Sequence, residues 1–139
     1  IRNHIVWAKQ YFALSRGDYH WQHEPCWYAV KKGRTSCWCG DRTQSTLWEI
    51  ASLNPAGRQE ERVAHGTQKP LECMARPIRN HGGENDIIYE PFSGSGTTII
   101  ACEQLNRQCR AIEISPAYVA VALDRWAAAT GQTPVLIDD

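Results

Sequence analysis

Neither sign of charge is in excess along this chain. Fifteen Lys and Arg balance fifteen Asp and Glu over 139 residues, so the formal net charge is zero. No global field draws it to a nucleic acid, and any such contact must come from local basic patches. The sequence has no secretory signal and no apolar run near the length of a membrane span. It has no internal repeat and no low-complexity segment. A disulfide framework is missing too: the six cysteines are scattered, and Cys73 and Cys102 fall at helix positions in apolar runs. Free thiols in a reducing cytoplasm are the simpler reading. The first residue is Ile1, not Met, which reads as part of a longer protein. With 42% hydrophobic residues, the chain can bury the core of one domain or of part of one.

What the sequence does contain is a glycine-rich turn. Ile87-Ile88-Tyr89 reads as a buried strand, Glu90-Pro91-Phe92-Ser93-Gly94-Ser95-Gly96-Thr97-Thr98 as the turn, and residues 99–105 as a helix. Two glycines at alternate positions let the backbone bend and approach a ligand, because neither carries a Cβ. The helix behind them points unsatisfied N–H groups and its positive dipole end at whatever lies over the turn. Ala111-Ile112-Glu113-Ile114 is a second strand with an acid near its end. An acid about 20 residues after such glycines is where a doubly wound sheet grips the hydroxyls of a ribose. A glycine pair alone makes only a turn. Strand, glycines, helix, strand and carboxylate in that order point to a nucleoside. Ile99 stands where a dinucleotide fingerprint has its third glycine, which argues against NAD and for another adenosine-containing ligand.

Around this centre the pattern predicts an α/β fold. Residues 5–8 read as a short strand, 9–18 as a loop, and 26–30 as an aromatic, β-branched strand ended by Lys31-Lys32-Gly33-Arg34. Periodicity fades from 35 to 65, where only residues 45–50 look strand-like. That stretch is either an ordinary surface loop or a place for base-reading contacts. Pro70 opens a helix with an apolar stripe of Leu71, Met74 and Ile78, and Pro77 should kink or shorten it. His81-Gly82-Gly83 breaks it. Asn106 reads as a turn and residues 110–114 as the next strand. Ser115-Pro116 starts the last helix, Val119, Leu123 and Trp126 mark its buried face, and Gly131 closes it.

The turn resembles the Asp-Pro-Phe-x-Gly-Ser-Gly-Thr-Thr cofactor motif of the DNA amino-methyltransferases, which methylate adenine N6 or cytosine N4 with S-adenosylmethionine. Upstream, His65-Gly66-Thr67-Gln68-Lys69-Pro70 is similar to their His-x-x-Gln-Lys-Pro element. Downstream, Glu113-Ile114-Ser115-Pro116-Ala117-Tyr118 resembles their second motif. Trp7-x-Lys9, His23-Glu24 and Ser45-Thr46-Leu47-Trp48-Glu49 read like the tail of the catalytic half followed by the target-recognition region. The resemblance implies a partial Rossmann-like fold, an open twisted sheet with helices, lacking the strand that carries the catalytic tetrapeptide. It divides the chain into strands of the catalytic half (1–34), an irregular recognition region (35–64), a cofactor region (65–131) and a loose tail (132–139).

The same resemblance implies the roles. Methyl transfer needs the donor methyl held in line with the attacking nitrogen. The cofactor residues would be His65, Lys69, Glu90, Pro91, Phe92, Gly94, Gly96, Thr97, Thr98, Glu113 and Ile114. Glu113 would take the ribose hydroxyls, Lys69 the methionine carboxylate, and Phe92 would pack near the ligand. Thr97 or Thr98 would bond that carboxylate or, more simply, cap the helix. Glu90 replaces the family's usual Asp. The family's catalytic Asp/Asn/Ser-Pro-Pro-aromatic is not found: Glu24-Pro25-Cys26-Trp27 and Ser115-Pro116-Ala117-Tyr118 share only its outline. The chain therefore reads as the C-terminal part of such an enzyme, inactive alone. The open edge of the strand before the turn should self-associate, re-pair, or take a companion segment. Lys31, Lys32, Arg34 and Arg42 are the candidates for DNA phosphates.

Two other readings remain. One is a non-catalytic module that binds S-adenosylmethionine or DNA. The other is a small zinc-dependent nucleic-acid-binding domain, from His20-x-x-His23-x-x-Cys26 and Cys37-x-Cys39. The spacing of the second pair is tighter than zinc ribbons use, and no metal ligand is assigned. The setting expected is the cytoplasm of a prokaryote or phage host, away from membranes.

Overall fold

The computed structural model describes residues 1–53 and 68–137. The first part is a three-stranded sheet in the order β2-β1-β3, formed by Asn3–Ala13, Trp21–Tyr28 and Leu47–Glu49. β1 is longer than predicted. Residues 9–13, expected in a loop, stay extended because the hairpin partner starts at Trp21 and supplies a pairing edge as far as Ala13. The register shifts between Ala8 and Ala13, which marks a bulge. Pro25 sits inside β2, opposite Val6. It is tolerated there because β2 is an edge strand and needs no N–H on its outer side. β3 runs parallel to β1, with Trp7 beside Trp48. Trp7 is buried and its indole N–H donates to the Ile50 carbonyl at 2.7 Å.

α1 spans Leu71–Asn80 and does not stop at Pro77. The loop at 37–39 holds its end instead. The Cys39 N–H donates to the Asn80 carbonyl at 2.9 Å and the Gly82 N–H to the Cys37 carbonyl at 3.0 Å. These external bonds offset the donor that Pro77 lacks. α1 also joins the two parts of the core. Cys73 packs with Trp7, Trp48 and Ile50, while Ala75 and Ile78 pack with Ala101 and Cys102.

Beyond α1, β4 (Ile87–Glu90) and β5 (Gln108–Ala111) form a parallel pair, linked by α2 (Thr97–Gln104). β4 is not the buried strand expected: Ile87 and Tyr89 are 63% and 64% exposed. Among the described residues only β5 pairs with it. β5 also stops short of Ile114, because residue 112 bonds across to the turn. Its N–H donates to the Glu90 carbonyl and its carbonyl accepts from the Ser93 N–H.

α3 spans Pro116–Thr130 and closes at Gly131, whose φ is +71°. Ser115 is its N-cap, but it holds the first turn through its carbonyl and not its hydroxyl. Val119 and Leu123 are exposed rather than buried, and Trp126 is half-buried with its N–H on Glu103. The buried residue of α3 is the small Ala122. α3 meets the rest of the chain closely at the glycine turn, where only a small side chain fits. Among the described residues no helix is long and apolar enough to cross a membrane.

Candidate nucleoside site at the glycine turn

The turn after β4 bends through two left-handed glycines, Gly94 at φ +55° and Gly96 at φ +79°. Gly96 is the N-cap of α2. It is needed for a second reason: a Cβ there would lie 2.7 Å from the Cβ of Ala122. Conformation and close approach thus both require glycine.

Two carboxylates hold the turn. Glu90, at the end of β4, accepts from the Phe92 N–H at 2.9 Å and from the Thr98 hydroxyl at 2.8 Å. Glu113 accepts from the Gly94 N–H at 2.7 Å and from the Ser115 N–H at 2.9 Å. It therefore faces the bend and also satisfies a donor at the start of α3. The Thr97 hydroxyl donates to the Lys69 carbonyl at 3.3 Å. Neither threonine hydroxyl caps α2; both tie the turn to neighbouring segments. Arg125 of α3 completes the frame. Its guanidinium lies 2.5 Å from the Ser95 carbonyl and 3.3 Å from the Thr97 hydroxyl.

A cavity of about 230 Å³ opens between the turn and the segment before α1. Lys69, Glu90, Phe92, Gly94, Thr97 and Thr98 all line it. Six of the eleven predicted residues are thus brought together. Phe92 is 87% exposed. The Ser93 hydroxyl is buried and has no hydrogen-bond partner. Gly96 and Glu113 do not line it; Glu113 is tied to it through the N–H of the lining residue Gly94. Pro91 and Ile114 are exposed and do not line it. His65 lies outside the described residues.

Lys69 also makes an ion pair within the chain. Its ammonium is 3.2 Å from Glu24 of β2, whose other oxygen is 2.6 Å from Lys9. Burial pushes the Glu24 carboxyl up, but the hydrogen bonds and charges of Lys9 and Lys69 outweigh it and hold the group below its ordinary value. Neither Glu24 nor Arg125 was predicted at the site. Arg125 left a faint signal: it is the one cation in the mainly apolar run Ala120-Val121-Ala122-Leu123-Asp124-Arg125-Trp126-Ala127. Glu24 stood out only within the His23-Glu24 pair, with no sign of its reach to Lys69, because that depends on how the β1–β2 hairpin meets the start of α1.

Lys31, Lys32, Arg34 and Arg42 are all exposed and lie apart from the cavity, in the turn after β2 and the loop before β3. The zinc reading finds no support. Among the described residues no three His, Cys, Asp or Glu converge. His23 and Cys26, three apart in β2, fall on opposite faces of the strand. His20 stacks on Phe12, and the Cys39 thiol donates to the Arg79 and Gly82 carbonyls. All six cysteines are free.

Strand, glycine turn, helix, parallel strand and returned carboxylate define an open α/β fold of the Rossmann-like class. The family model described as DNA methylase, for N6 and N4 methyltransferases, matches residues 1–124, and the chain belongs to that family. It is 36% identical over 81 residues to the type II methyltransferase M.HpaI of Haemophilus parainfluenzae, covering 58% of this chain and 25% of that protein. It is 33% identical over 99 residues to M.Cfr9I of Citrobacter freundii, covering 71% of this chain and 30% of that protein. The chain thus spans about a quarter to a third of the length of these relatives. The crystal structure of the M1.HpyAVI–SAM complex superposes with a TM-score of 0.73 at 31% identity, over 90% of this chain and 61% of that one. The cytosine-N4-specific PvuII DNA methyltransferase shares the fold, with a TM-score of 0.67 at 18% identity over 88% of this chain and 50% of that one.

Proposed function

We propose that this chain is the cofactor-binding and target-recognition portion of a DNA methyltransferase acting on adenine N6 or cytosine N4, with S-adenosylmethionine at the glycine turn. One observation carries the reading: the Glu113 carboxylate is bonded to the Gly94 N–H beside a cavity walled by the turn. The residues fit the cofactor. The unpartnered Ser93 hydroxyl awaits a polar group, exposed Phe92 offers an aromatic face, and Lys69 a positive charge. When bound, the cofactor supplies an activated methyl group. The chain's own residues bind and orient it: Gly94 and Gly96 bring backbone close, and the Glu113 carboxylate accepts from the ribose hydroxyls. His65 is kept as a candidate for the methionine end.

The methyl acceptor requires a tetrapeptide that this sequence lacks. Glu24 is held by two lysines and Ser115 caps a helix, so neither look-alike is disposed to grip a base. A segment with the tetrapeptide, entering beside the edge of β4 that no described strand covers, would complete the enzyme, and the chain alone would not turn over. A non-catalytic module is the second reading, favoured by that same missing tetrapeptide. Lys31, Lys32, Arg34 and Arg42 are carried as DNA phosphate contacts, and the prokaryotic cytoplasm as the setting.

Calorimetric titration with S-adenosylmethionine tests the first part; no binding at millimolar cofactor would sink it. A methyl-transfer assay on duplex DNA, with and without a segment bearing the tetrapeptide, tests the second. Transfer should appear only with the segment. Its absence in both arms would leave the non-catalytic module as the better account. A strictly monomeric chain with the β4 edge bare would count against the companion segment.

A further inference from the structure

Glu24 belongs to the aromatic hairpin, yet its carboxylate pairs with Lys69, which lines the turn cavity. It lies 2.6 Å from Lys9 on β1 and 3.2 Å from Lys69 before α1, and the three side chains are 35%, 21% and 38% exposed in that order. Solvent therefore screens these charges only in part. Lys9 is fixed on its other side, 5.1 Å over the Trp7 ring. Among the described residues lining the cavity, Lys69 is the one cation and Glu90 the one acid. Glu90 already accepts from the Phe92 N–H and the Thr98 hydroxyl. An anionic group entering the cavity thus meets Lys69 as its full positive charge. A lysine stem left to itself must give up rotamer freedom to hold an anion. Here its carbonyl is fixed by Thr97 and its ammonium by Glu24.

We propose that Glu24 is a positioning residue for the ligand of the glycine turn. It holds the Lys69 ammonium against the cavity, where that ammonium receives the carboxylate of the ligand's amino-acid end. This rests on the S-adenosylmethionine reading above. It also makes the β1–β2 hairpin part of the cofactor site.

The test compares two ligands by calorimetry: S-adenosylmethionine, and 5′-methylthioadenosine, which keeps the nucleoside and sulfur but lacks the amino-acid end. Glu24→Gln should weaken S-adenosylmethionine about fivefold, the worth of a partly screened ion pair. It should leave methylthioadenosine unchanged, which also shows the turn intact. In a Lys69→Met background, Glu24→Gln should add nothing. Equal loss for both ligands, tighter S-adenosylmethionine binding, or a full further loss in Lys69→Met would each overturn the assignment. If Glu24→Gln binds neither ligand while the wild type binds both, Glu24→Asp replaces it. With charge kept and reach shortened, it should weaken S-adenosylmethionine alone; loss of both ligands again overturns the role. A wild type that binds neither ligand overturns the cofactor reading itself, and the role of Glu24 with it.

Discussion

The Glu113 carboxylate accepts a 2.7 Å hydrogen bond from the backbone N–H of Gly94, across a separation of 19 residues. Its second oxygen takes the Ser115 N–H. One side chain thus joins the glycine turn to the start of α3. Glu113→Ala removes both charge-assisted bonds and should cost about 1.5–3 kcal/mol of stability. It should also weaken nucleoside binding. Thermal unfolding and titration with adenosine check the two effects separately, and an unchanged melting temperature would refute the structural part.

Gly96 faces Ala122 with no room for a side chain. Gly96→Ala should cost about 1–2 kcal/mol for the left-handed backbone alone, with the contact against Ala122 added. Ala122→Gly in the same chain should restore only the second part, since the φ of +79° remains. Denaturant unfolding of the two variants checks this. Full rescue by Ala122→Gly would mean that backbone strain plays no part.

Glu24 and Glu72 are among the carboxyls held below their ordinary value. At Glu24 burial raises the pKa, but Lys9 and Lys69 prevail; at Glu72 burial raises it, but Arg79 and Arg76 prevail. A depressed folded pKa contributes stability that is present above the unfolded value of about 4.5 and lost as pH falls through the folded one. Stability should therefore decline in that acidic window. The double variant Glu24→Gln, Glu72→Gln should flatten the decline in unfolding experiments run from about pH 6 downward, across the ordinary carboxylate range. An unchanged slope would contradict the pairing.

Buried thiols should be inert. Burial pushes Cys73 and Cys102 up to about 12, whereas Cys37 and Cys39 are exposed. The thiolate is the reactive form, so iodoacetamide at neutral pH should label Cys37 and Cys39 in the native chain and Cys73 and Cys102 only after unfolding. The linkage has the opposite sign from the acids. Raised folded values give stability that is complete below the unfolded value of about 9.0 and lost as pH rises toward about 12. Peptide mapping after a short alkylation reads the labelling directly.

The glycine turn was legible in the sequence because its requirements are local. Gly94 and Gly96 need left-handed φ values, and β4, α2 and Asn106 follow from short runs of apolar residues and turn chemistry. The spacing from the glycines to Glu113 is local in the same sense, since one helix and one short strand carry the chain back. The hairpin was less legible: residues 9–13 carry no period of their own and become strand because Trp21–Tyr28 lies beside them. Likewise Pro77 signals a helix end, but the loop at 37–39 holds α1 past it.

By itself the sequence determined the strand–turn–helix–strand order and the identity of the groups at the turn, because propensity and side-chain chemistry act between near neighbours. Only the tertiary structure decided which charges meet there: Glu24 on Lys69, Arg125 on Ser95, and Ala122 against Gly96. These contacts join segments far apart in the chain, and their energy exists only once the hairpin, α1 and α3 have packed.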